Sequence, residues 1–474
     1  MGSIASTLKN LNQRLFWLGF WIGTAYFSYI FSWLWSLYPF SFLGLDGGLT
    51  AFTLAFSLLV LVVVFSALCW GFLFFSISKM WTRGPISILI AASIFTLGEY
   101  ARSILFSFVM AGDNIIIGPH WTIGNPVYYL ANIPFINQGV GLWGIYGLLF
   151  IFTSLIFSLF SRFRKKTLLF FLPVIFLGWY WGRLPDIEKK EVRISVIQTD
   201  HLIGRESSPG VETKDFQKKL AMVREAASLS PDYIILPEGS NFSQSLALFL
   251  SSTQAQNFFL SLSEKEINII DNVRISGEGG IKSMGIVINT KTGIQETAEK
   301  KLLVPGGEYV PYILRPISWL WGQDVLKEAL ARQFVPGFKT SDSSFSPGII
   351  FCSEIFSPAI SALHNPFIVL LDSIGLFRGN NQLEDLLVRA AQMRAIENGR
   401  PLVIASNGGR SYILDQEGKI QHFTSKKGYE ILTGTVMLGQ GLTWYTKLRD
   451  WPILLWSIFW LLLGLFIHFN ARKH

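Results

Sequence analysis

Apolar positions dominate the first 185 residues in long unbroken runs, then thin into short runs of strand and helix length. About 18 consecutive, mostly apolar residues suffice to cross a bilayer as a helix. Windows of that kind lie near 15–38, 50–78, 86–110, 140–161 and 167–184, with a sixth near 452–469. The first is too long and too aromatic for a cleavable signal peptide and lacks a small-residue cleavage site. The stretch 111–139 is too polar and too rich in Gly, Pro and Asn to span. It is expected as an external loop lying at the membrane interface, with Trp121, Tyr128 and Tyr129 as anchors and a lone histidine, His120. Beyond residue 190 the pattern predicts strands at 192–198, 232–237, 285–289, 348–352, 367–372 and 402–406, and helices at 213–228 and 384–398. A hairpin is expected over 411–420, turning at Gln416-Glu417-Gly418. Strands alternating with helices predict an α/β domain. The chain thus divides into a transmembrane helical part at 1–185, a catalytic-sized α/β domain at 190–440 and a last transmembrane helix at 450–474.

Composition sharpens this division. Half of the 474 residues are hydrophobic and only 15% are charged, against about 25% in soluble domains. The net charge of +8 does not indicate nucleic-acid binding, because the basic residues sit in short clusters beside the apolar windows. Lys9 and Arg14 precede the first window, Lys79 and Arg83 follow the second, Arg162, Arg164, Lys165 and Lys166 follow the fourth, and Arg472 and Lys473 follow the last. The connections at 39–49 and 111–139 carry no Lys or Arg. By the positive-inside rule every basic connection is cytoplasmic, which puts 186–450 on the outer side. Cys69 lies in an apolar window and Cys352 in the α/β domain, so no disulfide framework is expected. Glu99 and Arg102, three apart in the third window, share a helix face. They read as a structural ion pair or a contact to a headgroup or substrate.

Candidate chemistry sits where apolar runs stop. Glu238 follows Tyr233-Ile234-Ile235-Leu236-Pro237, Cys352 follows Ile349-Ile350-Phe351, and Lys300 precedes Leu302-Leu303-Val304-Pro305. Strand ends carry reacting groups over a rigid base in α/β folds. A thiol becomes a strong nucleophile as thiolate. A carboxylate can take its proton, and an ammonium can stabilise the oxyanion of a tetrahedral intermediate. Each residue alone is weak evidence; a lone cysteine is more often a small buried hydrophobe. Arg389, Arg394, Glu397 and Arg400 are expected to pair along one helix as scaffold. Trp319, Leu320 and Trp321, together with Phe356, are expected at an apolar substrate entrance.

At these residues the sequence resembles the nitrilase (carbon-nitrogen hydrolase) superfamily, and more closely its membrane-embedded branch, the apolipoprotein N-acyltransferase family. Leu236-Pro237-Glu238 resembles the family's base motif. KKLLVPGGEYVP (300–311) is similar to its lysine motif, with Glu308 eight residues after Lys300. FCSEI (351–355) resembles its nucleophile motif, and 389–420 its helix-plus-strand signature. The resemblance implies a four-layer αββα sandwich and a catalytic Glu238, Lys300 and Cys352, supported by Glu308 and Glu354. It implies acyl transfer from a phospholipid donor, through a cysteine thioester, to the N-terminal amine of a diacylglyceryl-cysteine lipoprotein, without cofactor or metal, at the bacterial plasma (inner) membrane with the catalytic domain on the periplasmic side. The sequence departs from the family pattern at Gly306 and over Ser373-Ile374-Gly375-Leu376-Phe377, and it has fewer N-terminal spans. The alternatives are a membrane-anchored amidase or hydrolase using the same triad, and an inactive membrane scaffold.

Overall fold

The computed structural model describes residues 2–41, 45, 47–81, 84–182, 190–201, 209–277, 279–316, 323–331, 333–339, 346–425, 427–439 and 441–470. The N-terminal part is helical: α1 (Gly2–Ile30), α2 (Gly48–Met80), α3 (Ile86–Val109), α4 (Val140–Leu159) and α5 (Arg164–Gly182). The first apolar window does not run as one α-helix. α1 stops at Ile30 and a 3-10 turn, Ser32–Leu37, follows, as suits a segment approaching Pro39, since the residue before proline is disfavoured in helix. α3 carries the Glu99–Arg102 ion pair at 2.8 Å, both side chains buried. Trp70 Nε1 donates to Glu99 at 2.7 Å, and Arg102 reaches the Ile123 carbonyl at 3.2 Å. Both Glu99 oxygens and the Arg102 Nε and Nη2 thus have partners within the protein, as apolar surroundings demand.

The second part holds two sheets. The first is built from β1 (Glu191–Gln198), β2 (Tyr233–Ile235), β3 (Asn268–Gly277), β4 (Gly280–Asn289) and β5 (Gly293–Glu299), with helices α6 (Pro209–Ser228), α7 (Phe242–Phe249) and α8 (Ser252–Ser261) between its strands. After α9 (Gln323–Ala331), the second sheet comprises β6 (Gly348–Phe351), β7 (Ile368–Ser373), β8 (Leu402–Asn407), β9 (Tyr412–Leu414) and β10 (Ile420–Phe423). Helix α10 (Asn381–Asn398) lies between β7 and β8, and β11 (Glu430–Met437) returns to the first sheet. The orders are β11-β1-β2-β3-β4-β5 and β10-β9-β8-β7-β6. β1–β2–β3 and β6–β7–β8 pair in parallel, at the centre of the first sheet and along one side of the second, so each sheet has a parallel block whose strand ends point one way. Thr199 bridges Asn407 and joins the sheets at that end.

Burial shows the layering. Val196, Ile235, Ile270 and Val287 of the first sheet pack against Val369, Leu371, Val403 and Ala405 of the second. The outer face of the first sheet is covered by Phe216, Val223, Phe242 and Phe258 from α6, α7 and α8. The outer face of the second is covered by Leu387, Ala391 and Ala395 of α10, in a core continuous with residues of the membrane helices. The result is the expected αββα sandwich, with α10 seated between sheet and membrane part. Asn380 caps α10 by accepting from Gln382 N and Leu383 N, and Gly399 ends it at φ 60°. The chain closes through α11 (Trp444–Leu448) and α12 (Trp451–Asn470). Among the described residues, α2, α3, α4 and α12 are long and apolar enough to cross a membrane.

The 111–139 loop is a seam between the two parts. Trp121 and Tyr128, expected as exposed anchors, are 7% and 1% exposed, because the catalytic domain lies over them. Tyr128 OH hydrogen-bonds Thr122 Oγ1 and accepts from Arg394, and His120 Nδ1 lies 2.9 Å from Ser357 Oγ. α4 breaks at Gly144, whose φ 66°, ψ 178° lies outside the helix region. The Ile145 amide beyond it donates to Glu397 Oε1 of α10 at 3.0 Å. Glu397 also pairs with Arg394, both fully buried.

Candidate active site

Three strand ends converge at the open edge of the sandwich. Glu238 lies three residues beyond β2, where Leu236 N still bonds Ile270 O and Gly239 N bonds Asn272 Oδ1 at 2.7 Å. The left-handed turn at Gly239, φ 76°, lets the chain leave the sheet with the carboxyl turned inward. Lys300 follows β5 and is held on both sides by backbone bonds: its N–H donates to Ser283 O and its carbonyl accepts from Gly337 N. Cys352 follows β6 with φ 25°, a conformation unfavourable for a side chain bearing Cβ. Such strain marks nucleophiles on sharp strand-to-helix turns.

The side chains meet in a buried cluster. Lys300 Nζ donates to Glu238 Oε1 at 2.9 Å and to Glu308 Oε1 at 2.8 Å. Glu308 Oε2 accepts from Val304 N at 2.7 Å, which fixes its own loop. Burial works against the Lys300 charge, but Glu238 and Glu308 outweigh it and raise its pKa, so the ammonium persists. Burial raises the Glu238 carboxyl above the usual range, opposed by Lys300. Burial likewise pushes the Cys352 thiol well up, with Asp372 and Glu238 adding to the rise and Lys300 opposing it. The resting cysteine is therefore a thiol, and the raised proton affinity of Glu238 makes that carboxyl able to take a proton.

Glu354, expected to support the site, sits among backbone amides. It makes no bond to the lysine ammonium. Its Oε1 accepts from Lys301 N at 2.6 Å and Leu302 N at 3.1 Å, and Oε2 accepts from Phe351 N at 2.9 Å. One carboxylate thus staples the chain after Lys300 to the residue before Cys352. Burial raises it to about 7, against the pull of those amides.

Phe356, expected at the entrance, is 3% exposed. Its ring meets Tyr128 edge-on at 6.1 Å and its carbonyl accepts from Thr122. It fills the seam because the residues after the nucleophile turn run beneath the 111–139 loop. Trp319, Leu320 and Trp321 lie outside the described residues. An apolar cavity does open beside the site. Its walls include Trp33, Phe106 and Trp121 from the membrane part, and Gly306 and Leu376 from the loops after Lys300 and β7. Both departures from the family pattern contribute to it. One titratable residue of the site escaped the sequence reading. Asp372 ends the apolar run 367–371 as Glu238 ends 233–237, and that shared pattern is the signal that could have found it. Arg394 and Glu397 lie off this cluster, in the seam.

These features define a two-sheet αββα sandwich joined to apolar helices long enough to cross a membrane, with a buried Glu-Lys-Cys cluster beside an apolar cavity. The chain is similar to the apolipoprotein N-acyltransferase of Shewanella oneidensis, at 24% identity over 78% of this chain and 71% of the relative. The Brucella melitensis protein of the same name is 26% identical over 88% and 80%, and that of Aquifex aeolicus 25% identical over 77% and 79%. No family model matches the chain. Among solved structures, a nitrilase-superfamily amidase from Nesterenkonia AN1 aligns at 14% identity with a TM-score of 0.38, covering 55% of this chain and 96% of that one.

Proposed function

We propose that the protein is an N-acyltransferase of lipoprotein maturation. It moves an acyl chain from a phospholipid to Cys352, and from there to the N-terminal amine of a diacylglyceryl-cysteine lipoprotein. The observation that carries this reading is the buried Glu238–Lys300–Cys352 cluster set beside a cavity walled jointly by membrane helices and catalytic loops. A water-soluble amide would need no such wall, whereas an acyl chain does.

In this scheme Glu238 takes the thiol proton as Sγ attacks the ester carbonyl, and Lys300 stabilises the oxyanion. The ester C–O bond breaks, Glu238 returns the proton to the leaving alkoxide, and a thioester remains. The acceptor amine then attacks the thioester, forming the amide and releasing Cys352. Glu308 holds Lys300, and Glu354 holds the loops that carry Lys300 and Cys352. The alternating basic connections support a plasma-membrane protein whose catalytic domain faces the periplasm, with α1 and α5 crossing alongside the four more apolar helices. The test is incubation of the purified protein with a phospholipid fluorescent in its acyl chain. A gel-stable, hydroxylamine-labile label on the wild type, absent from Cys352→Ser, is expected. Equal labelling of both would refute the assignment.

A further inference from the structure

We propose that Asp372 receives the acceptor's N-terminal ammonium at the acylated cysteine, and so directs the thioester to an amine rather than to water. This rests on the acyl-transfer reading above. Asp372 is buried near the end of β7, between the parallel strands β6 and β8, with 3% exposure. Its Oδ2 accepts from Ser406 Oγ at 2.9 Å. Its Oδ1 is also buried and accepts no hydrogen bond among the described residues. A buried carboxylate oxygen without a donor is costly, and native proteins keep few of them.

The group facing this carboxyl is the Cys352 thiol, whose Sγ lies 4.0 Å from the carbonyl of the next residue, Ser373. Thioester formation removes the S–H, so that Ser406 is then the donor that remains to the carboxyl, at Oδ2. The other charged groups facing Asp372 are Glu238, beyond β2, and Glu384, from α10. Both are acidic; Glu384 is paired with Lys427 at 3.1 Å and lies 4.0 Å from Arg410, and Lys300 is engaged by Glu238 and Glu308. A cation with N–H donors fits this corner, and an α-ammonium is one. Water brings donors but no charge. Burial raises the Asp372 carboxyl to about 7, against hydrogen bonds from Ser406 and Cys352. That is close to an α-amino group's range of about 7.7–8.0, so a proton can pass between them near neutrality.

The ammonium gives one proton to the Asp372 carboxylate and becomes a free amine. Its lone pair attacks the thioester carbon, a C–N bond forms, and the oxyanion meets Lys300. Collapse breaks the C–S bond, and sulfur leaves with the electron pair. The surplus proton on nitrogen passes through Glu238 to Sγ, and Asp372 releases its own to solvent.

The experiment separates the two half-reactions on the full-length purified protein. The acyl-enzyme is formed from a fluorescent phospholipid, then chased with a lipopeptide bearing an N-terminal diacylglyceryl-cysteine, or with buffer alone. For Asp372→Asn the rates of thioester formation and of hydrolysis in buffer are the variant's own references, because the carboxyl also acts on the Cys352 thiol. Transfer to the amine should fall by on the order of 10²-fold. Should that variant not fold, Asp372→Ser is run through the same assay. Wild-type transfer measured against pH is a further readout: it should decline below about pH 7 more steeply than thioester formation. Unchanged transfer in the variant, equal loss in both half-reactions, or parallel pH profiles overturn the role of Asp372. Absence of any wild-type acyl-enzyme overturns the acyl-transfer reading, and the inference with it.

Discussion

Arg394→Ala removes a cation that is wholly buried between α10 and the membrane part. In the native protein the guanidinium pairs with Glu397 and donates to Tyr128 OH at 3.1 Å. Truncation leaves a buried carboxylate with only the Ile145 amide as donor among those described. Breaking one side of a buried pair costs about 3–5 kcal/mol. For a cooperative unit of the catalytic domain's size this is a fall of roughly 6–10 °C in melting temperature. The cost should depend on pH. Burial already raises Glu397 to about 7 in the presence of Arg394, and losing the cation raises it further. Between the unfolded carboxyl's ordinary value of about 4.3 and that raised value, the folded variant holds a proton that the unfolded chain has lost. Stability of the variant therefore falls as pH rises through this window, and the gap to wild type is widest on the alkaline side. The assay is thermal melting in detergent at pH 5.5 and pH 8, with transferase activity per folded molecule measured alongside. A wild-type melting curve with activity lost would refute the reasoning and move Arg394 into the chemistry. A deficit that does not change with pH would refute the Glu397 account.

The remaining expectations are more direct. Glu308→Gln leaves Lys300 one carboxylate instead of two, so its pKa should fall; acylation should slow by on the order of 10–10²-fold, and wild-type kinetics would refute the role. Glu354→Gln replaces one acceptor oxygen of the three-amide staple with an NH₂ facing an N–H, and should cost roughly 2–3 kcal/mol of stability together with activity, read from melting and single-turnover acylation; an unchanged protein would sink the staple. For topology, a single engineered cysteine at exposed Ser252 should react with an impermeant maleimide on intact spheroplasts, and one at Lys165 should not; the reverse pattern would invert the orientation.

Much of the site was legible because buried parallel strands write continuous apolar runs, and a polar residue closing such a run is conspicuous. Glu238 and Cys352 were found that way, while Lys300 stood out only as the head of the apolar loop run 302–305, and the structure brings the three together. Asp372 ended a run of the same kind but was absorbed into the strand. β3, β5 and β11 went unread because each pairs antiparallel along at least one edge and shows partly exposed residues; in β5, Gly293, Ile294 and Gln295 are all exposed, so no apolar run announces it. The seam was illegible for another reason. Trp121, Tyr128 and Phe356 carry the aromatic signature of a membrane interface, and only tertiary packing shows that another part of the same chain covers them.

The break in α4 also bears on how the protein is made. Ile145 and Glu397 are 252 positions apart. During synthesis α4 enters the bilayer long before its partner carboxylate exists, with a backbone amide that the kink has taken out of the helix ladder. An unpaired amide at that depth is unfavourable, so the nascent helix is best off straight, and the bend at Gly144 is imposed when α10 folds and docks. The helical part is then not a finished anchor awaiting its cargo. It reaches its final shape last, and a chain truncated before α10 should assemble into a membrane protein of different contour.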